Sequence, residues 1–329
     1  MEFLDYVKAQ LANHPGVQAQ DIIKLCYQAA FGAEHILQDK TAAEAYFYRE
    51  YGETPPTDEP LFEAISPDVC RVNFGAWKRE KLPREWLFRM FVHSAYRAEE
   101  AWFLEYLQAA LSREEMDAYL KGGIRPVHHS ESYRQANHPH YRIAASRFAA
   151  LLPVLLKLRE MKTAVIAIDG RAASGKSTMA GLLSKVLDAP VIAMDDFFLP
   201  PELRTPQRLA EAGGNVHYER FGEEVLPGLA GGEAFSYRAF DCGTMDFGQT
   251  VLIPKSPFRI VEGSYSHHPA LGDYADLKLF LEVDPQTQMA RIKKRNGERL
   301  AEMFRTRWIP MEEAYFDAFS IREQADIRL

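Results

Sequence analysis

The sequence predicts two domains, a mostly α-helical one over residues 1–160 and an α/β one with a parallel sheet over residues 161–329. Apolar residues recur at helical spacing through much of the first part, whereas short apolar runs alternate with helical stretches in the second. Within the second part, residues 163–178 (Thr-Ala-Val-Ile-Ala-Ile-Asp-Gly-Arg-Ala-Ala-Ser-Gly-Lys-Ser-Thr) read as a strand, a glycine-bounded loop and a helix start.

That stretch organises the chain. Ala164 to Ile168 is an apolar run of strand length, and Met179 to Leu187 has the apolar spacing of a helix. Between them stands Gly170-x-x-x-x-Gly175-Lys176-Ser177, a P-loop pattern in the strand–loop–helix context that confirms it. Gly170 and Gly175 let the backbone turn tightly and bring its N–H groups against phosphate oxygens. The helix N-terminus adds orphan donors and a partial positive charge. Gly170, Ala172, Ala173, Ser174, Gly175, Lys176, Ser177 and Thr178 are therefore the candidate phosphate-binding positions. Lys176 is placed to reach the β- and γ-phosphates, and the Ser177 hydroxyl to ligate Mg²⁺. A nucleoside triphosphate is the expected ligand.

Composition bounds the rest. A chain of 329 residues, 47% hydrophobic, has length for two cores. Its net charge of −7, with no basic excess in either half, argues against nucleic acid as a partner. Cys26, Cys70 and Cys242 are too scattered for a metal set or a disulfide framework, so a reducing cytoplasm is the expected home. The N-terminus lacks the basic start and apolar run of a signal peptide, and no stretch approaches 18 uninterrupted apolar residues. No membrane partner is expected. Self-association into a homo-oligomer stays open.

In the first part, Phe3, Val7 and Leu11 mark one face of a helix that stops near Asn13-His14-Pro15-Gly16. A second helix is expected from about Gln18 to Leu37, with Ile22, Cys26, Ala29, Ala33 and Leu37 inward. Residues 51–60 read as a loop and Val69 to Phe74 as a short strand. Pro83 suits the first turn of a helix that turns Trp86, Leu87, Met90 and Phe91 inward. Ser112-x-x-Glu115 is a capping box, and Lys121-Gly122-Gly123 ends that helix. A last helix is expected over about 143–161, kinked or restarted at Pro153.

Two stretches there carry chemistry-bearing side chains. His128, His129, His138 and His140 lie within thirteen residues, but their spacing matches no zinc pattern. The readings are a polar loop or a ligand site built from histidine, tyrosine and arginine. Glu34 and His35 sit late in an apolar helix, as a buried hydrogen-bonded pair or a catalytic one. The wording of residues 20–35 and 129–134 resembles an uncharacterised bacterial domain sometimes fused to kinases, a resemblance that brings no activity with it.

In the second part, Val191 to Met194 is a second buried strand with Asp195 and Asp196 at its C-terminal end. Ligands of an open parallel sheet gather outside the carboxyl ends of its strands. An acid there, beside a P-loop, is placed to take a proton from an attacking hydroxyl, with a simple capping aspartate as the alternative. Phe258 to Gly263 is a third strand, ending in Glu262 where a Walker B acid faces the Mg²⁺. Leu277 to Val283 is a fourth, Asp284-Pro285 opens a helix through about Arg295, and Ala325 to Leu329 suits a fifth strand. Residues 291–307 hold seven basic side chains, Arg291 and Arg295 among them, against Glu298 and Glu302. They read as a solvated helical face or as a lid over triphosphate.

Residues 163–329 resemble the uridine kinase, nicotinamide riboside kinase and pantothenate kinase group of P-loop kinases. The resemblance rests on residues 169–178, Asp-Asp-Phe-Phe-Leu-Pro (195–200), Val-Glu-Gly (261–263) and Arg-Trp-Ile-Pro-Met (307–311) after a basic stretch. It implies a P-loop kinase fold, a five-stranded parallel sheet of order 2-3-1-4-5 with helices on both faces. It also implies ATP and Mg²⁺ as cofactors, Asp195 as base, Glu262 on the magnesium side, and Arg291 and Arg295 in the lid. Asp196, Phe198, His217, Tyr218 and Arg220 fall where the group holds its acceptor. The expectation is a kinase acting on a small-molecule hydroxyl. The alternative is a nucleotide switch that regulates the helical part, although no Asn-Lys-x-Asp base-reading motif is present.

Overall fold

The computed structural model describes residues 2–94 and 100–329. The chain divides into two compact units, Met1–Arg159 and Glu160–Leu329.

The first unit wraps helices around a three-stranded antiparallel sheet: β1 (Phe62–Ala64), β2 (Val69–Asn73) and β3 (Tyr141–Ala145). β3 corrects the expected helix over 143–161. Ile143, Ala144 and Ala145 are all buried, a run whose spacing suits strand and helix alike, and pairing with β2 (Arg71↔Ile143) decides it. A 3₁₀ turn (Ser146–Leu151) and a short helix (Leu152–Leu158) follow, with Pro153 in the first turn. The second helix is also shorter than expected, Ala19–Phe31, because Gly32 takes a left-handed φ of 58°. Its Ile22, Cys26 and Ala29 are buried as expected. The first helix (Phe3–Asn13) buries Val7 but leaves Leu11 56% exposed, since Tyr6 and Gln10 turn inward instead. The helix Lys40–Glu53 runs into the stretch expected as loop, and the capping box at Ser112 and Glu115 is present.

Polar groups occupy the centre of this unit. Asp21 Oδ1 accepts from the Ser130 N–H (2.9 Å) and from His129 Nδ1 (2.8 Å). His129 Nε2 meets the Tyr141 hydroxyl at 2.6 Å, and Gln28 links Tyr141 to Arg71. Arg71 donates to Gln10 at 2.6 Å and lies 3.6 Å from Glu63, which bonds His14 at 2.6 Å. The histidine-rich stretch therefore splits. His129 joins the buried network, while His140 meets Glu50 at 3.2 Å. Among the described residues no three His, Cys, Asp or Glu side chains converge as a metal site would need. His35 is half-buried against Tyr27, and the Glu34 side chain lies outside the described part.

The second unit is built on five parallel strands, β4 (Ala164–Gly170), β5 (Val191–Ala193), β8 (Phe258–Glu262), β9 (Leu277–Leu281) and β10 (Ile327–Arg328). Between β5 and β8 the chain adds a separate antiparallel hairpin, β6 (Phe235–Asp241) and β7 (Asp246–Ile253). The sheet order β10-β9-β4-β8-β5 is the implied 2-3-1-4-5. β4 lies at its centre, with Ile166, Ala167 and Ile168 fully buried, which explains its unbroken apolar run. Gly170 ends it with φ 136°, and a Cβ there would stand 2.2 Å from the Leu281 carbonyl oxygen of β9. The basic helix runs from Pro285 to Met303, past Arg295, with a non-helical break at Gly297 (φ 77°, ψ 168°). A π-helical turn (Phe304–Trp308) leads into the helix Ile309–Ala318, whose Phe316 packs edge-on to Phe280. Among the described residues no helix is long and apolar enough to cross a membrane.

Candidate active site

The parallel sheet puts its strand ends together. Glu262 at the end of β8 pairs with Ile168 of β4 on one side and Ala193 of β5 on the other. The loop after β4 is pinned from below. Asp169 is fully buried and accepts from the Gly170, Tyr265 and His267 N–H groups and from the Tyr315 hydroxyl. Ala173 (φ 58°) and Gly175 (φ 108°) are left-handed, the conformations by which a turn gathers successive N–H groups into an anion-binding concavity. The helix Lys176–Leu187 begins directly after Gly175.

Lys176 Nζ donates to the carbonyls of Gly170 (2.7 Å) and Arg171 (2.9 Å), so it lies back along its own loop. The Ser177 hydroxyl donates to Glu262 Oε1 at 3.0 Å. Burial pushes the Glu262 pKa up; the Ser177 bond opposes this, the Asp195 charge adds to it, and Lys176 opposes it. Asp195 opens to solvent yet sits low among protein atoms. That desolvation raises its pKa above the ordinary 3.8, Lys176 pulls it back, Asp196 raises it and Arg295 lowers it. Asp195 makes no hydrogen bond or ion pair among the described residues. Asp196 differs, because it accepts from the Tyr237 hydroxyl of β6 at 2.8 Å. The two acids do not diverge by strand alternation, since Met194–Phe197 is already a 3₁₀ turn.

The structure thus brings together Lys176, Ser177, Glu262 and Asp195, with Arg295 near enough for its charge to act on Asp195. Arg291 donates to the Ala173 carbonyl at 3.0 Å, and Arg295 to Asn296 at 2.8 Å. The residues expected on the acceptor side have protein partners of their own. His217 caps the helix Tyr218–Glu224, and Tyr218 stacks on His268 with the Arg208 guanidinium also against its ring. Arg220 donates to the Asp196 carbonyl oxygen and packs on Phe197, while Phe198 is half-buried opposite Val216. Glu312 was not foreseen. It is 7% exposed and accepts from the Ala172 N–H at 3.0 Å and the Ser264 hydroxyl at 2.6 Å. An acid at the helical spacing of Ile309, Tyr315 and Phe316 was the signal that could have found it.

These groups fit Mg²⁺ and a triphosphate. Ser177 and Glu262 present hard oxygen donors side by side; among the described residues the Ser174 hydroxyl is buried without a partner, and nothing fills the space where a Gly175 Cβ would stand. The sheet order and the loop decide the architecture. The second unit has the P-loop kinase fold.

No family model and no curated protein matches the chain. Among solved structures, it is similar to a possible uridine kinase from Bacillus stearothermophilus, at 20% identity and a TM-score of 0.44, covering 56% of this chain and 97% of that one. It is also similar to a candidate fructose transport system kinase from Silicibacter sp. TM1040, at 24% identity and a TM-score of 0.44, covering 55% of this chain and 98% of that one. What the site can do follows from its own side chains.

Proposed function

We propose that the chain is an ATP-dependent small-molecule kinase, moving the γ-phosphoryl group to a hydroxyl of a nucleoside, riboside or similar metabolite. The observation that carries this is Asp195, a carboxylate without a partner among the described residues, open to solvent and close enough to Lys176 and Glu262 to share their fields. Its raised pKa makes it the better base for an alcohol. Asp195 orients the acceptor hydroxyl and takes its proton as the oxygen bonds to the γ-phosphorus and the bond to the β-phosphate oxygen breaks. Lys176, freed from its two carbonyls, follows the charge of the transferred group. Ser177 and Glu262 would hold Mg²⁺, which supplies charge neutralisation at the phosphate oxygens when bound. Arg295 adds positive charge on the same side, and Asp196, fixed by Tyr237, shapes the acceptor side.

The test is ATP consumption with and without a panel of ribosides. Consumption that depends on a riboside, with one phosphorylated product per ADP, is the expected result. Slow hydrolysis indifferent to every acceptor would replace the kinase by a nucleotide switch.

A further inference from the structure

Ala173 carries a Cβ yet takes a left-handed φ of 58° in the middle of the phosphate loop. Such a conformation is disfavoured for an L-residue and persists where the surroundings over-determine it. Here they do. The Ala172 N–H donates to Glu312 Oε2 at 3.0 Å, and the Ala172 carbonyl accepts from Gln288 Nε2 at 3.1 Å. The Ala173 carbonyl accepts from Arg291 at 3.0 Å. Gln288 stands where the basic arm 285–308 leaves the sheet and Glu312 just after it returns, so one residue is gripped from both roots of the arm. Both grips are buried, Gln288 at 1% and Glu312 at 7% exposure.

We propose that Glu312 is a positioning residue for the nucleotide site: by holding the Ala172 N–H it keeps Ala173 left-handed and the N–H groups that follow aimed at the phosphates, and it ties that geometry to the root of the basic arm. The role rests on the nucleotide-binding reading above. Glu312 acts through its two oxygens as fixed acceptors, one for Ala172 and one for Ser264, and touches no reacting atom. Burial pushes its pKa up, with the Lys176 charge and the Ser264 and Ala172 bonds opposing. A neutral amide of the same shape accepts from Ala172 and donates to Ser264 equally well.

Equilibrium binding of ATP and steady-state kinetics on the full chain test this. Glu312→Ala should weaken ATP binding and raise KM for ATP about 10-fold or more, leaving the acceptor KM unchanged. Glu312→Gln should stay within about threefold of the parent. Adding Ala173→Gly to Glu312→Ala should recover part of the lost affinity, because glycine takes the left-handed form freely. If Glu312→Ala yields no folded protein, Ser264→Ala should show the same KM split in weaker form. Parental ATP affinity in Glu312→Ala, equal damage from Glu312→Gln, or no recovery with Ala173→Gly would each overturn the proposal. A parent that binds no ATP would overturn it together with the nucleotide reading. A parent that binds ATP but phosphorylates no acceptor would overturn the kinase alone.

Discussion

In the first unit Arg71 is 1% exposed, and the groups around it form one bonded chain from Asp21 through His129, Tyr141, Gln28 and Gln10 to Glu63 and His14. In the second unit Asp195 and Glu262 are also crowded by protein, but among the described residues one hydroxyl donor, Ser177, serves the pair. The outcomes are opposite. Burial would raise Asp21 and Glu63, yet the bonds from Ser130 and Gln18 to the first, and the His14 bond and Arg71 charge on the second, hold both low. Asp195 and Glu262 lack that supply of donors, so burial prevails and both rise. Donor supply thus separates these four acids: partners hold the pair in the network low, and too few donors leave the other pair to the effect of burial.

The largest effect should come from the phosphate loop. Lys176→Ala removes the charge that follows the phosphoryl group, and turnover should fall roughly a thousandfold or more while the circular dichroism spectrum stays parental. Turnover surviving in the folded variant would break the reading of the second site.

Next comes the satisfied network. Arg71→Ala leaves buried Gln10 and Gln28 and half-buried Glu63 without their cation and should cost about 3–5 kcal/mol in urea unfolding. Arg71→Met should cost less, because it fills the space. An unchanged midpoint for Arg71→Ala would mean that the bonded chain does not stabilise the first unit.

Asp195→Asn should reduce phosphoryl transfer roughly a hundredfold, the usual scale for losing a general base, with ATP affinity little changed. Asp196→Asn should be milder, since an amide still accepts from Tyr237. If Asp196→Asn is the more damaging, the partnered acid is the reactive one and the contrast fails. Replacing Arg291 and Arg295 together with alanine should lower turnover about tenfold, more than it weakens ADP binding. Equal effects on both would return the arm to a solvated face.

The smallest effect is one of stability. Because Asp195 has a folded pKa above its ordinary 3.8, its contribution is most favourable below that value and is lost as pH rises through the folded pKa. Asp195→Asn should therefore raise Tm slightly at neutral pH, with the gain vanishing in acid. A lower Tm at neutral pH would show that the carboxylate is better supported than its surroundings indicate.

The strands of the second unit were legible because a buried parallel strand is a short apolar run, and here three of them end in an acid or a phosphate loop. The hairpin was not, since the bulge between Arg238 and Phe240 breaks the alternation that would have announced it. Residues 143–161 misled because Ile143-Ala144-Ala145 fits either period. Of the candidate site residues, Lys176 and Ser177 were legible from the glycine-bounded loop ahead of their helix, and Asp195 and Glu262 from their places at or just after strand ends. His217, Tyr218 and Arg220 could not be placed by proximity to those motifs, because their rings and cations are spent on His268, Arg208 and Phe197. The helical spacing around Glu312 marks it as inward-facing but does not name a partner 140 positions away.

Gly170 bears on how such a chain would decay. A Cβ there would strike the backbone of β9 whether or not a nucleotide ever bound, so the glycine is demanded by the sheet. A related chain with no phosphoryl transfer at all would keep Gly170, and buried Asp169 beside it, for as long as it kept its fold. Asp195 has no such protection. Among the described residues it makes no hydrogen bond or ion pair, and burial raises its pKa. In a family of such chains the first glycine of the loop would mark shared architecture, while the acid after β5 would, on the kinase proposal, follow activity instead.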